Sequence, residues 1–209
     1  MSEVCNKWVL GAYFTEGPYE EIAVTHVAES CKELNITHKL LLVGYKSKGS
    51  WNKNTAMKPK VILEALEMIA DGYDLAFVDA DATIEQYPAL FDTIPKEYDI
   101  AFHTLNWNDW YGYKTQTPRM EILSGTMFFR NNDKVKTLCK AWYNLAKKTN
   151  VWEQQVLQNI IDNYDLKCYH LPIEYCYMKT RPRGLEPLVK TDPVILHHQA
   201  SRKYKGTVR

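Results

Sequence analysis

The sequence predicts an α/β domain, with a mostly parallel central sheet flanked by helices. Three observations predict it. Short apolar runs alternate along the chain with segments of helical period. One of them, Leu75-Ala76-Phe77-Val78, is apolar throughout, as a strand buried on both sheet faces is. That run ends in Asp79-Ala80-Asp81, and ligand sites in such sheets lie beyond the carboxyl ends of the strands.

Residues 8–15 read as the first strand. A helix follows over 18–34, with Pro18 suited to its first turn and Ala23, Val27, Cys31 and Leu34 along one stripe. Residues 39–43 read as a second buried strand and 44–56, polar with two glycines, as a loop. A helix over 58–71 carries Ile62, Ala65, Leu66 and Ile69 on one face, with Pro59 near its start and Gly72 as its cap. The Asp-bearing strand comes next, then a short strand over 100–103. Residues 104–120 are rich in Trp, Tyr, Asn and Thr without a clear period. A loop that long in a compact domain is usually functional or mobile. Strand returns over 123–129. Helices over 133–148 and 152–164 turn Val135, Leu138, Trp142 and Leu145, then Val156, Leu157, Ile160 and Ile161, toward the core. Residues 167–171 and 194–197 are strands, and four prolines make 172–193 an irregular crossing. The segment 201–209 is polar and basic.

No repeat, low-complexity stretch or linker divides the chain, so residues 1–209 read as one domain, whose basic end could lead into another in a longer protein. A length of 209 residues suffices for a substantial core. The net charge of +1 gives no global attraction to nucleic acid or to a membrane surface. The five cysteines, Cys5, Cys31, Cys139, Cys168 and Cys176, are odd in number and include no CxxC pair. Neither a disulfide framework nor a zinc site is indicated, and reduced thiols in an intracellular, cytoplasmic setting fit better. Cys31 and Cys139 fall in helical patterns and read as packing residues. The sequon Asn35-Ile36-Thr37 carries no weight without a secretory signal, and residues 1–7 lack the apolar stretch of one. No segment approaches the roughly 20 apolar residues of a membrane span.

The chemistry centres on Asp79 and Asp81. In a strand, side chains i and i+2 share a side, so the two carboxylates can converge. Like charges side by side repel unless a cation separates them, and a hard divalent ion with oxygen ligands does so. The pair therefore predicts a metal, and the metal a phosphate-bearing ligand; the plain alternative is a solvated strand end. Asp79-Ala80-Asp81-Ala82-Thr83 also resembles the first motif of haloacid-dehalogenase-type phosphatases, with Asp79 as nucleophile and Asp81 as general acid/base. Against that, two βα units precede the motif here, and the later acidic pair of that superfamily is missing.

Over nearly its whole length the chain resembles the GT-A class of nucleotide-sugar glycosyltransferases. Ala12-Tyr13-Phe14-Thr15 lies where that class binds the nucleobase, and Asp79-Ala80-Asp81 is similar to its DxD motif. The strand Leu123-Ser124-Gly125-Thr126-Met127-Phe128-Phe129 resembles its strand beside the sugar pocket, and Trp152-Glu153-Gln154-Gln155 its acidic-Gln helix start. His197-His198-Gln199-Ala200-Ser201-Arg202-Lys203 is similar to a metal-ligand histidine followed by a basic phosphate clamp. The compact size and residues 51–58 particularly resemble the glycosyltransferase domains that large algal viruses use to decorate capsid glycans.

The resemblance implies a metal-dependent glycosyltransferase moving a hexosyl unit from a UDP-sugar to a glycan hydroxyl, with retention preferred. A phosphatase using Asp79 and a non-catalytic carbohydrate-binding module remain the alternatives. Asp79, Asp81 and His197 would hold Mn²⁺ or Mg²⁺, with His198 a lesser choice because it points the other way. The donor would meet Ala12, Tyr13, Phe14, Thr15, Trp51, Asn54, Lys58, Asp79, Ala80, Ser124 and Gly125, with Arg202 and Lys203 on the diphosphate. Lys205 and Arg209 read as solvated tail. Gly125 would let the backbone approach the sugar closely, or mark a bulge. Glu153 and Gln154 belong at the sugar's reacting face, although Glu153 could simply complement the helix dipole. An inverting reaction would need Glu153 or Asp109 as general base. Trp107, Trp110, Tyr111 and Tyr113 could stack on sugar rings of a carbohydrate or glycoprotein acceptor. No nucleic-acid partner is expected, a monomer is favoured, and the setting could be the host cytoplasm of a viral protein.

Overall fold

The computed structural model describes residues 5–149, 151–188 and 190–204. Strand β3 (Tyr73–Val78) is the buried centre: Leu75, Ala76, Phe77 and Val78 are all fully covered. It belongs to a six-stranded sheet of order β2-β1-β3-β6-β5-β7. The others are β1 (Lys7–Thr15), β2 (Leu40–Tyr45), β5 (Ile100–Asn106), β6 (Met120–Phe129) and β7 (Cys168–His170). The pairs β1–β2, β1–β3 and β5–β7 are parallel, whereas β6 runs antiparallel to both β3 and β5.

Alternation along the strands builds two cores, one on each sheet face. Leu75 and Phe77 face α4 (Lys58–Met68), α7 (Asp133–Ala146) and α8 (Glu153–Ile160), packing with Ile62, Leu138, Trp142 and Leu157. Ala76 and Val78 face the other way, with Trp8 and Leu10 of β1. That face is covered by a helical run over 18–33 and by α5 (Leu90–Thr93). The run consists of α1 (Pro18–Ala23), a π-helical turn (Val24–Ala28) and α2 (Glu29–Glu33). A smaller sheet, β4 (Ala82–Ile84), β9 (Ile195–His197) and β8 (Tyr177–Met178), has β9 in the middle. The short helices α3 (Trp51–Thr55), α6 (Trp107–Tyr111) and α9 (Ser201–Tyr204) complete the fold.

A buried ion pair ties the start of β3 to the end of β6. Arg130 Nη1 lies 2.5 Å from Asp74 Oδ2, and Arg130 also donates to the carbonyls of Ile94, Pro95 and Tyr98. Each nitrogen of the buried guanidinium thereby finds an acceptor.

Several expectations are corrected. β2 is a half-buried edge strand, not a buried one, because only β1 pairs with it. The expected loop 44–56 contains α3, capped by the Ser50 side chain accepting from the Lys53 N–H. The helix expected to 71 stops at Met68, and Gly72 takes a left-handed turn conformation at φ +78° after it instead of capping it. Strand β5 extends to Asn106 and α6 follows, so 104–120 is not one loop. Leu145 is 42% exposed, and Cys139 and Ala146 take the inward positions of α7. Lys205 and Arg209 lie outside the described residues.

Candidate active site

The two carboxylates converge by a turn, not by strand alternation. Strand β3 ends at Val78; the Asp79 N–H then donates to the Gly125 carbonyl at 2.8 Å, and the Ala82 N–H donates back to Asp79 at 3.0 Å. The folded-back chain enters β4, whose Ala82 pairs with His197 of β9. One ligand atom each from Asp79, Asp81 and His197 then lie within 4.8 Å of one another. Two carboxylates and an imidazole make a donor set suited to a divalent ion such as Mn²⁺.

Each member of the set is held. The Asp81 carboxylate accepts from the Ala200 N–H at 2.6 Å and lies 3.8 Å from His197 Nδ1. Burial alone would raise the Asp81 pKa, but His197, the Ala200 N–H and Lys58 outweigh it and hold the carboxyl below its usual range. Burial, opposed by Lys58 and assisted by Asp81, raises the Asp79 pKa. The His197 ring approaches Thr126 Oγ1 through Nε2 at 2.8 Å, which leaves Nδ1 facing Asp81. Burial opposes its protonation, yet Cys176 and the Asp81 carboxylate lift its pKa to about 10.

Behind this set sits a buried charge cluster. Lys58, 4% exposed, places Nζ 2.7 Å from Asp79 Oδ1 and 2.8 Å from Glu153 Oε1. The same ammonium donates to the Ser124 carbonyl and hydroxyl at 3.2 and 3.0 Å. Burial would lower the Lys58 pKa, but Asp79 and Glu153 raise it on balance, so it stays charged. Glu153 is also buried, and Ser124 Oγ donates to it at 3.0 Å. The α8 start is anchored by the Trp142 indole N–H donating to the Glu153 carbonyl at 2.7 Å.

These residues line a cavity of about 370 Å³, within the range of small-ligand sites. Its walls include Tyr13, Phe14 and Thr15 from the end of β1, Trp51 and Asn54 of α3, and Arg202 of α9. The Tyr13 hydroxyl donates to the Asn54 carbonyl at 3.0 Å, and burial raises its pKa far above the usual phenol value. The Asn54 side chain organises the loop before it, accepting from the Lys48 N–H at 2.6 Å and donating to Ser47 Oγ at 3.2 Å. Gly125 lines the cavity beside the His197 ring, which a Cβ at 125 would meet at 3.0 Å.

A sequence model described as nucleotide-diphospho-sugar transferase matches residues 26–207. The chain belongs to this family. No curated protein matches the sequence closely. Among solved structures, a glycosyltransferase involved in glycosylation of the major capsid of PBCV-1 is similar, with TM-score 0.65 and 13% identity. That match covers 95% of this chain and 97% of the other. Mouse xyloside xylosyltransferase 1 gives TM-score 0.57 at 9% identity, covering 93% of this chain and 98% of its own. The galactosyltransferase LgtC, solved with donor and acceptor sugar analogs, gives 0.56 at 11%, covering 91% and 86%. At these identities the likeness is one of fold, the GT-A arrangement of this transferase family.

Within this transferase, most of the sequence-derived site residues meet at the cavity: Tyr13, Phe14, Thr15, Trp51, Asn54, Lys58, Asp79, Ala80, Asp81, Ser124, Gly125, Glu153, Gln154, His197 and Arg202 all line it. Ala12 does not; it is 1% exposed in the core with Trp8 and Leu10. Lys203 is exposed and outside the lining. Asp109 is exposed on α6 and does not reach the cavity, and Trp110 is buried against Leu105 and Leu123. Trp107, Tyr111 and Tyr113 form an aromatic row outside the lining: Tyr111 is tilted 59° to Trp107 at 5.0 Å and stacks on Tyr113 at 5.2 Å. His198 turns away, stacking on His26 and meeting Thr83 Oγ1 at 2.9 Å. Sequence reasoning missed Glu121, which lines the cavity. Extending strand 123–129 back by period 2 from Gly125 would have placed it on the same face.

Proposed function

We propose that the chain is a metal-dependent glycosyltransferase that moves a hexosyl unit from a UDP-sugar to a glycan hydroxyl with retention of configuration. One observation carries it: the Asp79, Asp81 and His197 ligand atoms cluster within 4.8 Å at a cavity shared with the end of β1. Family membership favours sugar transfer over the phosphatase reading.

When bound, Mn²⁺ or Mg²⁺ supplies Lewis acidity for the charge that grows on the leaving diphosphate. This chain's residues do the rest. Tyr13, its hydroxyl committed to Asn54, offers a ring face for the uracil, and Thr15 a hydroxyl. Arg202 reaches the diphosphate with charge-assisted hydrogen bonds. Lys58 holds the back of Asp79, so its charge acts through the metal-binding carboxylate rather than on the phosphate itself. Glu153 serves as the counter-charge of Lys58, and Gln154 presents its amide group to the sugar's reacting face. Trp107, Tyr111 and Tyr113 give an acceptor sugar an aromatic wall.

The described residues contain no helix long and apolar enough to cross a membrane. The five cysteines are free thiols, which fits a reducing, cytoplasmic setting; the proposed enzyme is a monomer acting on a carbohydrate or glycoprotein acceptor. The test is a screen of UDP-glucose, UDP-galactose and UDP-xylose for Mn²⁺-dependent release of UDP. Release from at least one supports transfer. No release from any, with or without a glycan acceptor, leaves a binding module as the better description.

A further inference from the structure

Glu121 lines the cavity and joins Gln154, also in the lining, to Trp107 outside it. One carboxylate oxygen accepts from the Trp107 indole N–H at 2.6 Å, and the other from Gln154 Nε2 at 2.8 Å. Trp107 in turn meets the Tyr111 ring, tilted 59° to it at 5.0 Å, and carries the Arg119 guanidinium 4.0 Å from its ring centroid. Gln154 is held from its other end, where Oε1 accepts from the Ser124 N–H at 2.9 Å.

We propose that Glu121 is a positioning residue of the transfer reaction, fixing the amide of Gln154 and the ring of Trp107 as one unit. The inference rests on the transferase reading above. Its physical basis is donor and acceptor counting. An indole N–H and a carboxamide NH₂ only donate, and an ionised carboxylate only accepts, through both oxygens. The Ser124 N–H requires the carbonyl end of Gln154, so the NH₂ end must face Glu121. A side chain with a single acceptor oxygen at 121 satisfies one donor and confronts the other with a second donor. Gln154 could then recover only by flipping, which strands the Ser124 N–H. The charge at 121 therefore sets which end of Gln154 faces Ser124 and which faces residue 121, and ties the Trp107 ring to it.

The experiment compares wild type with Glu121→Gln and Glu121→Ala as full chains. The probe is whichever of UDP-glucose, UDP-galactose and UDP-xylose the wild type hydrolyses with Mn²⁺. A shift of this geometry acts on the reaction step and not on nucleotide binding. The expected result is a roughly 10- to 100-fold loss of kcat with donor KM within about twofold. The Trp107 indole N–H resonance, identified by its loss in Trp107→Phe, should move in both variants while their melting midpoints stay near wild type. Unchanged kcat, or a loss carried by donor KM, overturns the proposal. If Glu121→Gln fails to fold, Glu121→Ala gives the same readouts, because both donors then face solvent. A wild type that hydrolyses none of the three sugars overturns the transferase reading and this proposal with it. An active wild type with unaffected variants overturns this proposal alone.

Discussion

Lys58 Nζ lies 2.7 Å from Asp79 Oδ1, so a carboxylate of the candidate metal set carries its own buried counter-charge. The same ammonium meets Glu153 at 2.8 Å. The lysine thereby joins the β3 turn to the start of α8, and its loss affects both fold and site.

Lys58→Met should lower stability by about 3–5 kcal/mol, because it leaves two carboxylates facing each other without a cation. Urea unfolding followed by circular dichroism measures this. Adding Glu153→Gln should restore part of the loss by removing one stranded charge. An unfolding midpoint equal to wild type in the single variant would contradict the assignment.

Asp74→Ala should cost a similar 3–5 kcal/mol or so, since Arg130 is buried and loses its only carboxylate within 4.0 Å among the described residues. The pair lies at the opposite end of β3 from Asp79. Metal-dependent UDP affinity of the folded fraction should therefore stay at the wild-type level. A fall in that affinity without a fall in stability would show the pair to be part of the site.

Gly125→Ala brings a Cβ to 3.0 Å from His197 Cε1 and 3.2 Å from Nδ1. The ring must move, and Mn²⁺ affinity should drop roughly 10- to 100-fold, as for other disturbed ligand supports. Titration of Mn²⁺ in the presence of UDP reads this directly. Retained affinity would mean that His197 is not a ligand.

The His197 pKa is raised to about 10 in the metal-free chain. A raised folded value contributes stability that is full below the ordinary imidazole value of about 6.5 and is lost as pH rises through about 10. A metal ligand must be neutral, so cation binding there releases a proton. Mn²⁺ affinity should accordingly climb from about pH 7 to about pH 9, with proton uptake by buffers of different ionisation heats as the second readout. Affinity independent of pH over that span would place the ligand elsewhere.

The fold was legible where periodicity was strong. Trp8, Leu10 and Ala12 alternate with solvent- or helix-facing neighbours, and Val135, Leu138 and Trp142 repeat at helical spacing, so β1 and α7 could be placed from sequence. Edge position was not legible: Leu40, Leu41, Leu42 and Val43 are as apolar as a central strand, and only the sheet order leaves them half-covered. Asp79 and Asp81 could be named because paired carboxylates after an apolar strand carry the chemistry, whereas His197 came from the resemblance of residues 197–203 to the family's C-terminal segment. The turn that joins them depends on backbone bonds to Gly125 and Asp79 that side chains do not announce. Lys58 reads from sequence as a donor contact, and its ion pairs with Asp79 and Glu153 were not legible because those partners lie far along the chain. Glu121 was not reached because the strand reads from sequence as beginning at 123, whereas β6 begins at Met120.

The central claim is met most directly by calorimetric titration of UDP into the wild-type chain and into Asp81→Ala, each with and without Mn²⁺. The wild type should bind UDP at least roughly tenfold more tightly with the metal, and Asp81→Ala should lose that gain while melting as wild type does. UDP affinity that ignores Mn²⁺ in the wild type, or a gain that survives in Asp81→Ala, would contradict the account.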